Sequence, residues 1–340
     1  MSTAPPISYA QQYEDLHLLR CFGDQPSGFY IDVGAGHPVH SNVSFLFYLR
    51  GWRGITVEPN PWLARLTAAV RPRDRRIQAL VGAKPGRADY HLVEHMHGFS
   101  TTLKNHARAV EREYGKAAKT LRIPVMTLAA LCRKHAPRGI DFLKIDVEGA
   151  EKAVLAGNDW WRFRPKVILA EALAPVTLKP AWAGWEPILK KNGYRFALFD
   201  GLNRYYAAEE HAALGERLAA APRSFRGAKQ FHRFKPAVQD ASHVDHRLAR
   251  LLDGTDMVRL PVVGRAALLK RLTAHLTPAD LDRKATPADA AAIERRLFGT
   301  RARDEPRLHR SATIRDLYAA AIASERFRAA CGRISASYAW

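Results

Sequence analysis

Over the first 210 residues, short apolar runs alternate with stretches whose apolar residues fall at helical spacing. Phe29–Val33, Gly54–Glu58, Phe142–Asp146 and Val167–Glu171 are rich in β-branched and aromatic residues. They are bounded by glycine, proline or acids, which is the pattern of buried strands. Ile77–Val81 and Ala88–Val93 read as two further strands. Residues 9–21 place Leu16, Leu19 and Tyr13 on one face of a helix. Ser41 or Asn42 is positioned to cap a helix that runs to about Leu49, with Val43, Leu46 and Phe47 inward, and Gly51 stops it. Pro61 suits the first turn of a helix ending near Val70. Thr127–His135, a helix starting at Glu151, and Trp182–Asn192 ended by Gly193 complete the series. Tyr194–Phe199 and Arg204–Ala207 form a hairpin about residues 200–203. The polar stretch 95–120 reads as a loop over a site, with a helix near Lys104–Tyr114.

This alternation predicts an α/β fold: a doubly wound, mostly parallel sheet with right-handed crossovers over about residues 20–210. The hairpin adds one antiparallel strand. Pro222–Pro236 interleaves Arg223, Arg226, Lys229, Arg233 and Lys235 with Phe225, Phe231 and Phe234, and contains no acid. Its phenylalanines are expected to pack inward under water-facing cations, in preference to stacking bases or sugars. Residues 243–330 read as helices broken at Pro261, Pro278, Pro287 and Pro306. The expected organisation is an N-terminal helical segment (1–24), the α/β domain (25–210), a basic linker (211–240) and a C-terminal helical extension (241–340).

Composition narrows the class. A chain of 340 residues, 47% hydrophobic and 25% charged, is that of a soluble globular protein. No apolar run reaches the roughly 18 residues of a membrane helix, and no secretory leader is visible. Cys21, Cys132 and Cys331 are few, odd in number and far apart, which indicates a reduced, cytoplasmic protein. The net charge of +20 attracts anions such as nucleic acid, anionic glycan or a membrane surface. The abundance of Arg and Ala, as in a G- and C-rich coding sequence, accounts for that charge equally well.

Chemistry concentrates at the strand ends. Tyr30-Ile-Asp-Val-Gly-Ala-Gly36 is a strand running into a glycine turn, and Val57-Glu-Pro-Asn-Pro61 is a strand ending in an acid. A dinucleotide fingerprint needs a third glycine three positions after the second, and position 39 is Val. S-adenosylmethionine has no phosphate and fits better. Asp32 can meet its ammonium, Gly34 and Gly36 leave room for its methionine moiety, and Glu58, with Asn60 beside it, can hold the ribose diol. Asp141-Phe-Leu-Lys-Ile-Asp-Val-Glu-Gly-Ala-Glu151 is a third strand ending in acids, and ligands of open α/β sheets bind beyond such strand ends. Asp146, Glu148 and Glu171 therefore share a rim with Gly34 and Glu58.

The chain resembles the FkbM family of S-adenosylmethionine-dependent methyltransferases. The matching residues are Ile31–Gly36, Gly51-Trp-Arg-Gly-Ile-Thr-Val-Glu-Pro-Asn60 and Leu143-Lys-Ile-Asp-Val-Glu-Gly-Ala-Glu151. Trp185-Glu-Pro-Ile-Leu, Gly193-Tyr-Arg-Phe and Phe199-Asp-Gly-Leu-Asn-Arg204 also look like that family. The resemblance covers about residues 25–210. It implies a class I, Rossmann-like methyltransferase fold and O-methylation of a glycan or natural-product hydroxyl. It carries cofactor binding to Asp32, Gly34, Gly36 and Glu58, and puts Asp146 and Glu148 at the methyl-transfer centre.

A sugar hydroxyl is a poor acid, so a positioned base helps. Asp146 ranks first and His37 second, with Glu171 a further candidate. Structural readings compete: His37 as a brace of the turn, Glu148 as a cap of the following helix, Glu171 as the partner of an Arg. A divalent ion between Asp146 and Glu171 is the weaker alternative, because no third carboxylate or Asp-Asn pair follows Glu171, and no metal is assigned. Gly98-Phe-Ser-Thr-Thr102 is a candidate for closing over the site, while His91, His95, His97 and His106 match no metal spacing. The rival functions are an RNA methyltransferase and a non-catalytic binding domain. Lys144, Asp146, Lys166 and Glu171 mimic an RNA ribose methylation set, but both lysines are expected to be misplaced, Lys144 on the solvated or helix-covered side of its strand. The expected partner is thus a glycan or small-molecule acceptor, anionic if the net charge reflects it, and not nucleic acid. The C-terminal helices are a candidate homo-oligomer interface.

Overall fold

The computed structural model describes residues 6–93, 100–136, 139–174, 177–220, 222, 225–299 and 312–338. The chain divides into two compact units, residues to 68 with 73–231, and residues 69–72 with 232 onward.

In chain order the first unit contains β1 (Ile7–Ser8), α1 (Glu14–Phe22), β2 (Phe29–Val33), α2 (Phe45–Leu49), β3 (Arg53–Val57) and α3 (Pro61–Val70). Then come β4 (Arg75–Ile77), β5 (Leu80–Val81), β6 (Gly86–Val93), α4 (Lys104–Tyr114), β7 (Ala118–Met126) and α5 (Leu128–His135). It closes with β8 (Phe142–Ile145), α6 (Glu151–Ala156), β9 (Val167–Glu171), α7 (Glu186–Lys191), β10 (Tyr194–Phe199), β11 (Asn203–Ala208), α8 (Ala212–Ala219) and β12 (Lys229–Gln230). Seven strands form one sheet in the order β10-β11-β9-β8-β2-β3-β4. β11 alone runs antiparallel to its neighbours, as the closing hairpin predicts. The expected α/β, doubly wound, mostly parallel sheet is the one observed.

Alternation along the strands gives the sheet two apolar faces. Ile31, Val33, Ile55, Val57, Leu143, Ile145, Ile168 and Ala170 pack against Leu128, Leu131, Val154, Leu155 and Leu189 on one face. Tyr30, Phe142, Val167, Leu169 and Tyr205 pack against Leu18, Phe22, Phe47 and Trp52 on the other. Each such side chain contributes roughly 1.5–3 kcal/mol by leaving water. The second face matters here, because its strand positions continue into the polar row described below.

Several elements differ from expectation, among them α2, which starts at Phe45 behind Ser44 and not at Ser41 or Asn42. Ile77–Val81 is not one strand: it ends β4 and supplies β5, which belongs to a separate three-stranded sheet with β7 and β6. β7 itself has no clear period, carries Pro124, and is held mainly by its ladder with β6. α1 starts at Glu14, because the buried carboxylate of Asp15 accepts from the amide of Tyr9 and the hydroxyl of Ser8 and folds residues 8–13 back as a turn. In the basic stretch Phe231 and Phe234 are buried, Arg226, Arg233 and Lys235 are exposed, and Phe225 packs on Tyr13 and His17. Its Arg223 lies outside the described residues.

The second unit is helical: α9 (His246–Leu252), α10 (Arg265–Leu272), α11 (Pro278–Asp282), α12 (Pro287–Phe298), α13 (Ile314–Ala323) and α14 (Glu325–Ala336). Pro278 and Pro287 do not so much break helices as open them, each in a first turn behind a Thr capping box. Pro306 lies outside the described residues. Among the described residues no helix is long and apolar enough to cross a membrane.

Candidate active site

The site lies at the carboxyl ends of β2, β3, β8 and β9. The register aligns Thr56, Asp32 and Lys144 across β3, β2 and β8, on the same side of the sheet. Beyond β2 the chain turns through Gly34 and Gly36, with φ of 72° and 60°. Both lie in the left-handed region that favours glycine. They do different jobs, although the sequence assigned them one. A Cβ on Gly34 would stand 1.7 Å from the carbonyl oxygen of Asp146, so that glycine lets two strand ends touch. A Cβ on Gly36 would meet nothing within 4 Å, so that residue shows bare backbone to open space.

Glu58 holds this turn. Its carboxylate accepts the amides of Gly36 and Asn60, both at 2.8 Å, and Asn60 in turn accepts the amide of Trp62 at the start of α3. Burial pushes the Glu58 carboxyl up to about 7, against the pull of the two amides and Lys144. Asp32 is fully buried. One of its oxygens accepts the Ser44 hydroxyl at 2.5 Å, while the other is buried without a hydrogen-bond partner. Bare backbone at Gly36, a carboxylate with remaining lone pairs at the end of β3, and an Asp32 oxygen engaged only by an ammonium at 3.5 Å fit a sulfonium donor that carries a ribose.

On the other side, carboxylate oxygens of Asp146, Glu148 and Glu171 lie within 4.8 Å of one another. The third carboxylate of the cluster is Glu148, which the sequence reading set at this rim, and not a residue following Glu171. Asp146 is the open member, its side chain 39% exposed. Burial first, and then the charge of Asp146, hold the carboxyls of Glu148 and Glu171 well above the usual range. One Glu171 oxygen is buried without a hydrogen-bond partner, and no Arg pairs with it among the described residues. Capping falls to Glu151, which accepts the amides of Val147 and Gly149, while Glu148 sits at a φ of 54°.

Lys144 corrects an expectation. Its ammonium is neither solvated nor set under a helix. With its side chain 7% exposed, it donates to the Gly34 carbonyl at 2.6 Å and lies 3.3 Å from Asp146 and 3.5 Å from Asp32. The acidic rim therefore has an internal counter-ion, and no metal is assigned to it. Only the pairing register, which sets Lys144 beside Asp32, could have revealed this.

The polar loop contributes through its described part. Thr101 donates to the Glu148 carbonyl at 3.1 Å, and Ser100 accepts the amide of Val93 at 3.0 Å. Leu103 and His106 pack over Gly149. Tyr90 was missed: this buried phenol of β6 is held far above its usual range by burial and by the charges of Glu58 and Glu148, with Ser100 as its hydrogen-bond partner. Gly98, Phe99, His95 and His97 lie outside the described residues. His91 meets Thr120 instead of a carboxylate cluster.

His37 braces the turn. Its Nδ1 accepts the amides of Val39 and His40, at 3.2 and 3.0 Å. That puts the ring proton on Nε2, so the imidazole can donate there but cannot take a proton as a neutral base. Lys166 is remote: it precedes β9, whereas Glu171 ends it, about 16 Å further on, and it pairs with Asp141 at 2.7 Å. The four-residue RNA-type set is not assembled.

Residues 32–196 match the model of the methyltransferase FkbM domain. No curated protein matches the chain. Among solved structures, a TehB-like SAM-dependent methyltransferase from Corynebacterium glutamicum is similar at a TM-score of 0.32 and 10% identity, over 56% of this chain and 86% of that one. That likeness is too slight to add to the domain match.

Proposed function

We propose that this protein, a methyltransferase that uses S-adenosylmethionine through the FkbM domain of residues 32–196, methylates a hydroxyl oxygen of a sugar, glycan or natural-product acceptor. The observation that supports this reading is the contrast among three converging carboxyls. Asp146, its side chain 39% exposed, pairs with a cation, while desolvation and the neighbouring carboxylates hold the half-buried Glu148 and Glu171 above the usual carboxylate range.

Asp32, Gly34, Gly36, Glu58 and Asn60 are the residues that would hold the cofactor. S-adenosylmethionine supplies an electrophilic methyl group when bound. With the donor bound, Asp146 would orient the acceptor hydroxyl and take its proton, while the methyl group's bond to sulfur is exchanged for one to that oxygen. Protonated Glu148 and Glu171 can donate hydrogen bonds to neighbouring acceptor oxygens, as the hydroxyl-rich face of a sugar requires. His37 donates at most.

The rim itself is acidic despite the net charge of +20. The part of the acceptor that enters it is therefore neutral or cationic, and any anionic group stays outside. We place the reaction in the cytoplasm, in keeping with three cysteines that are all free and buried. The test is mass spectrometry of candidate glycans and small polyols incubated with isotopically labelled methyl donor. Label on oxygen supports the reading, and label on a nucleic-acid base or ribose, with none on glycans, overturns it.

A further inference from the structure

Lys144 enters the methyl-transfer reading above only as the cation beside Asp146, and among the described residues it is the cation buried in the rim. The titratable groups around it are Asp32 on β2, Glu58 just past β3, the phenol of Tyr90 on β6, Asp146 and Glu148 between β8 and α6, Glu151 at the start of α6, and Glu171 on β9. An ammonium has three N–H donors. This one has three neighbours at short range: the Gly34 carbonyl at 2.6 Å, Asp146 at 3.3 Å and Asp32 at 3.5 Å.

Stability does not explain the arrangement. Taking an ammonium out of water costs several kcal/mol, and apolar residues of the same volume hold strands together at least as well. The rest of this face is apolar and aromatic, with Phe142 two residues earlier on the same strand. What the ammonium does that a methyl group cannot is favour a negative charge close by. Both the glycine turn and the open carboxylate touch it.

We infer that Lys144 is a positioning residue: seated on the Gly34 carbonyl, its ammonium ties the cofactor turn to Asp146 and keeps Asp146 the ionised carboxylate of the rim. Glu148 and Glu171 stand within reach of Asp146 but are not themselves among the ammonium's three contacts. The choice of Asp146 as base thus follows from a side chain one row deeper in the sheet. The inference rests on the methyl-transfer reading for what Asp146 does, and on the geometry of the ammonium's contacts for its tie to Lys144.

Carboxyl carbon NMR on protein labelled at Asp and Glu, in chelator-treated buffer, tests it without an acceptor. In the wild type Asp146 titrates before Glu148 and Glu171; the reverse order overturns the inference with no variant needed. In Lys144→Met the Asp146 midpoint moves up by about one pH unit or more, as expected on losing an opposite charge in contact. Lys144→Arg, which keeps the charge, leaves the midpoint where it is. Calorimetry with S-adenosylmethionine provides the second readout: Lys144→Met loses about tenfold or more in affinity, because the Gly34 carbonyl loses a charged donor. An unmoved Asp146 midpoint in folded Lys144→Met overturns the assignment of Lys144 alone. Wild-type protein that binds no S-adenosylmethionine overturns the methyl-transfer reading and the tie to the cofactor turn, while the order of titration still judges the charge.

Discussion

Gly34 and Gly36 sit two residues apart at similar φ, and alanine at each has a different consequence. Both substitutions force a side chain into the left-handed region, at about 1–2 kcal/mol. At Gly36 the cost ends there, since the new methyl meets nothing within 4 Å. At Gly34 the methyl would stand 1.7 Å from the Asp146 carbonyl oxygen, which is backbone and cannot swing aside. Separating the ends of β2 and β8 adds an overpacking cost of about 1–3 kcal/mol. Gly34→Ala should therefore destabilise the first unit by about 3 kcal/mol and lower its unfolding midpoint by about 6–12 °C. Gly36→Ala should cost about half of that or less and still lose most affinity for S-adenosylmethionine, because its methyl fills the space offered to the cofactor. Tryptophan fluorescence reports on this unit, since Trp52, Trp62, Trp160, Trp161, Trp182 and Trp185 all lie within residues 1–231. Thermal scans followed by that signal, with calorimetric titration of the cofactor, separate the two effects. Equal midpoints for the two variants, or a Gly36→Ala protein that binds the cofactor as the wild type does, would refute the division of labour.

Asp32→Ala is expected to abolish S-adenosylmethionine binding, and a titration showing wild-type affinity removes Asp32 from the cofactor site. Asp146→Asn should leave cofactor affinity within a few-fold and slow turnover on an identified acceptor by about 100-fold or more; unchanged turnover takes Asp146 off the catalytic list. Burial lifts Glu14 to about 8 and Glu58 to about 7 from an ordinary 4.5. A carboxyl raised in this way keeps its proton in the folded state, so its stabilisation is full below pH 4.5 and is lost as pH rises through about 7 to 8. Denaturant unfolding of the first unit should accordingly show stability falling by a few kcal/mol between pH 5 and pH 8, and a rise over that window contradicts the assignment. In the second unit Arg333 meets Asp245 through two bonds of 2.7 Å, both side chains largely buried. Arg333→Ala should cost about 3–5 kcal/mol by stranding the carboxylate, and a loss below 1 kcal/mol in chemical denaturation would show that the pair is solvent-screened.

Some of this was readable before any coordinates. α3 runs Pro61–Val70 and β9 Val167–Glu171, with the bounds expected from a proline in the first turn and from a five-residue apolar run. Local steric preference and apolar periodicity act within a few residues, so the sequence carries them directly. The acids at the ends of β2, β3, β8 and β9 were legible for the same reason: a strand read correctly ends where its rim begins. β7 was not legible, because its pairing with β6 sets its state more than its own weak pattern does.

The sequence alone determined the parallel sheet, its antiparallel closing strand, and the set of acids and glycines that crowd one edge. Tertiary structure decided what each of them is for. Lys144 and Gly34 are 110 positions apart and meet at 2.6 Å, whereas Lys166, five positions before Glu171 and just ahead of β9, faces the other end of the sheet. Protonation follows from burial and from charges a few ångströms away, and those distances come into being only when strands from remote parts of the chain fall into register.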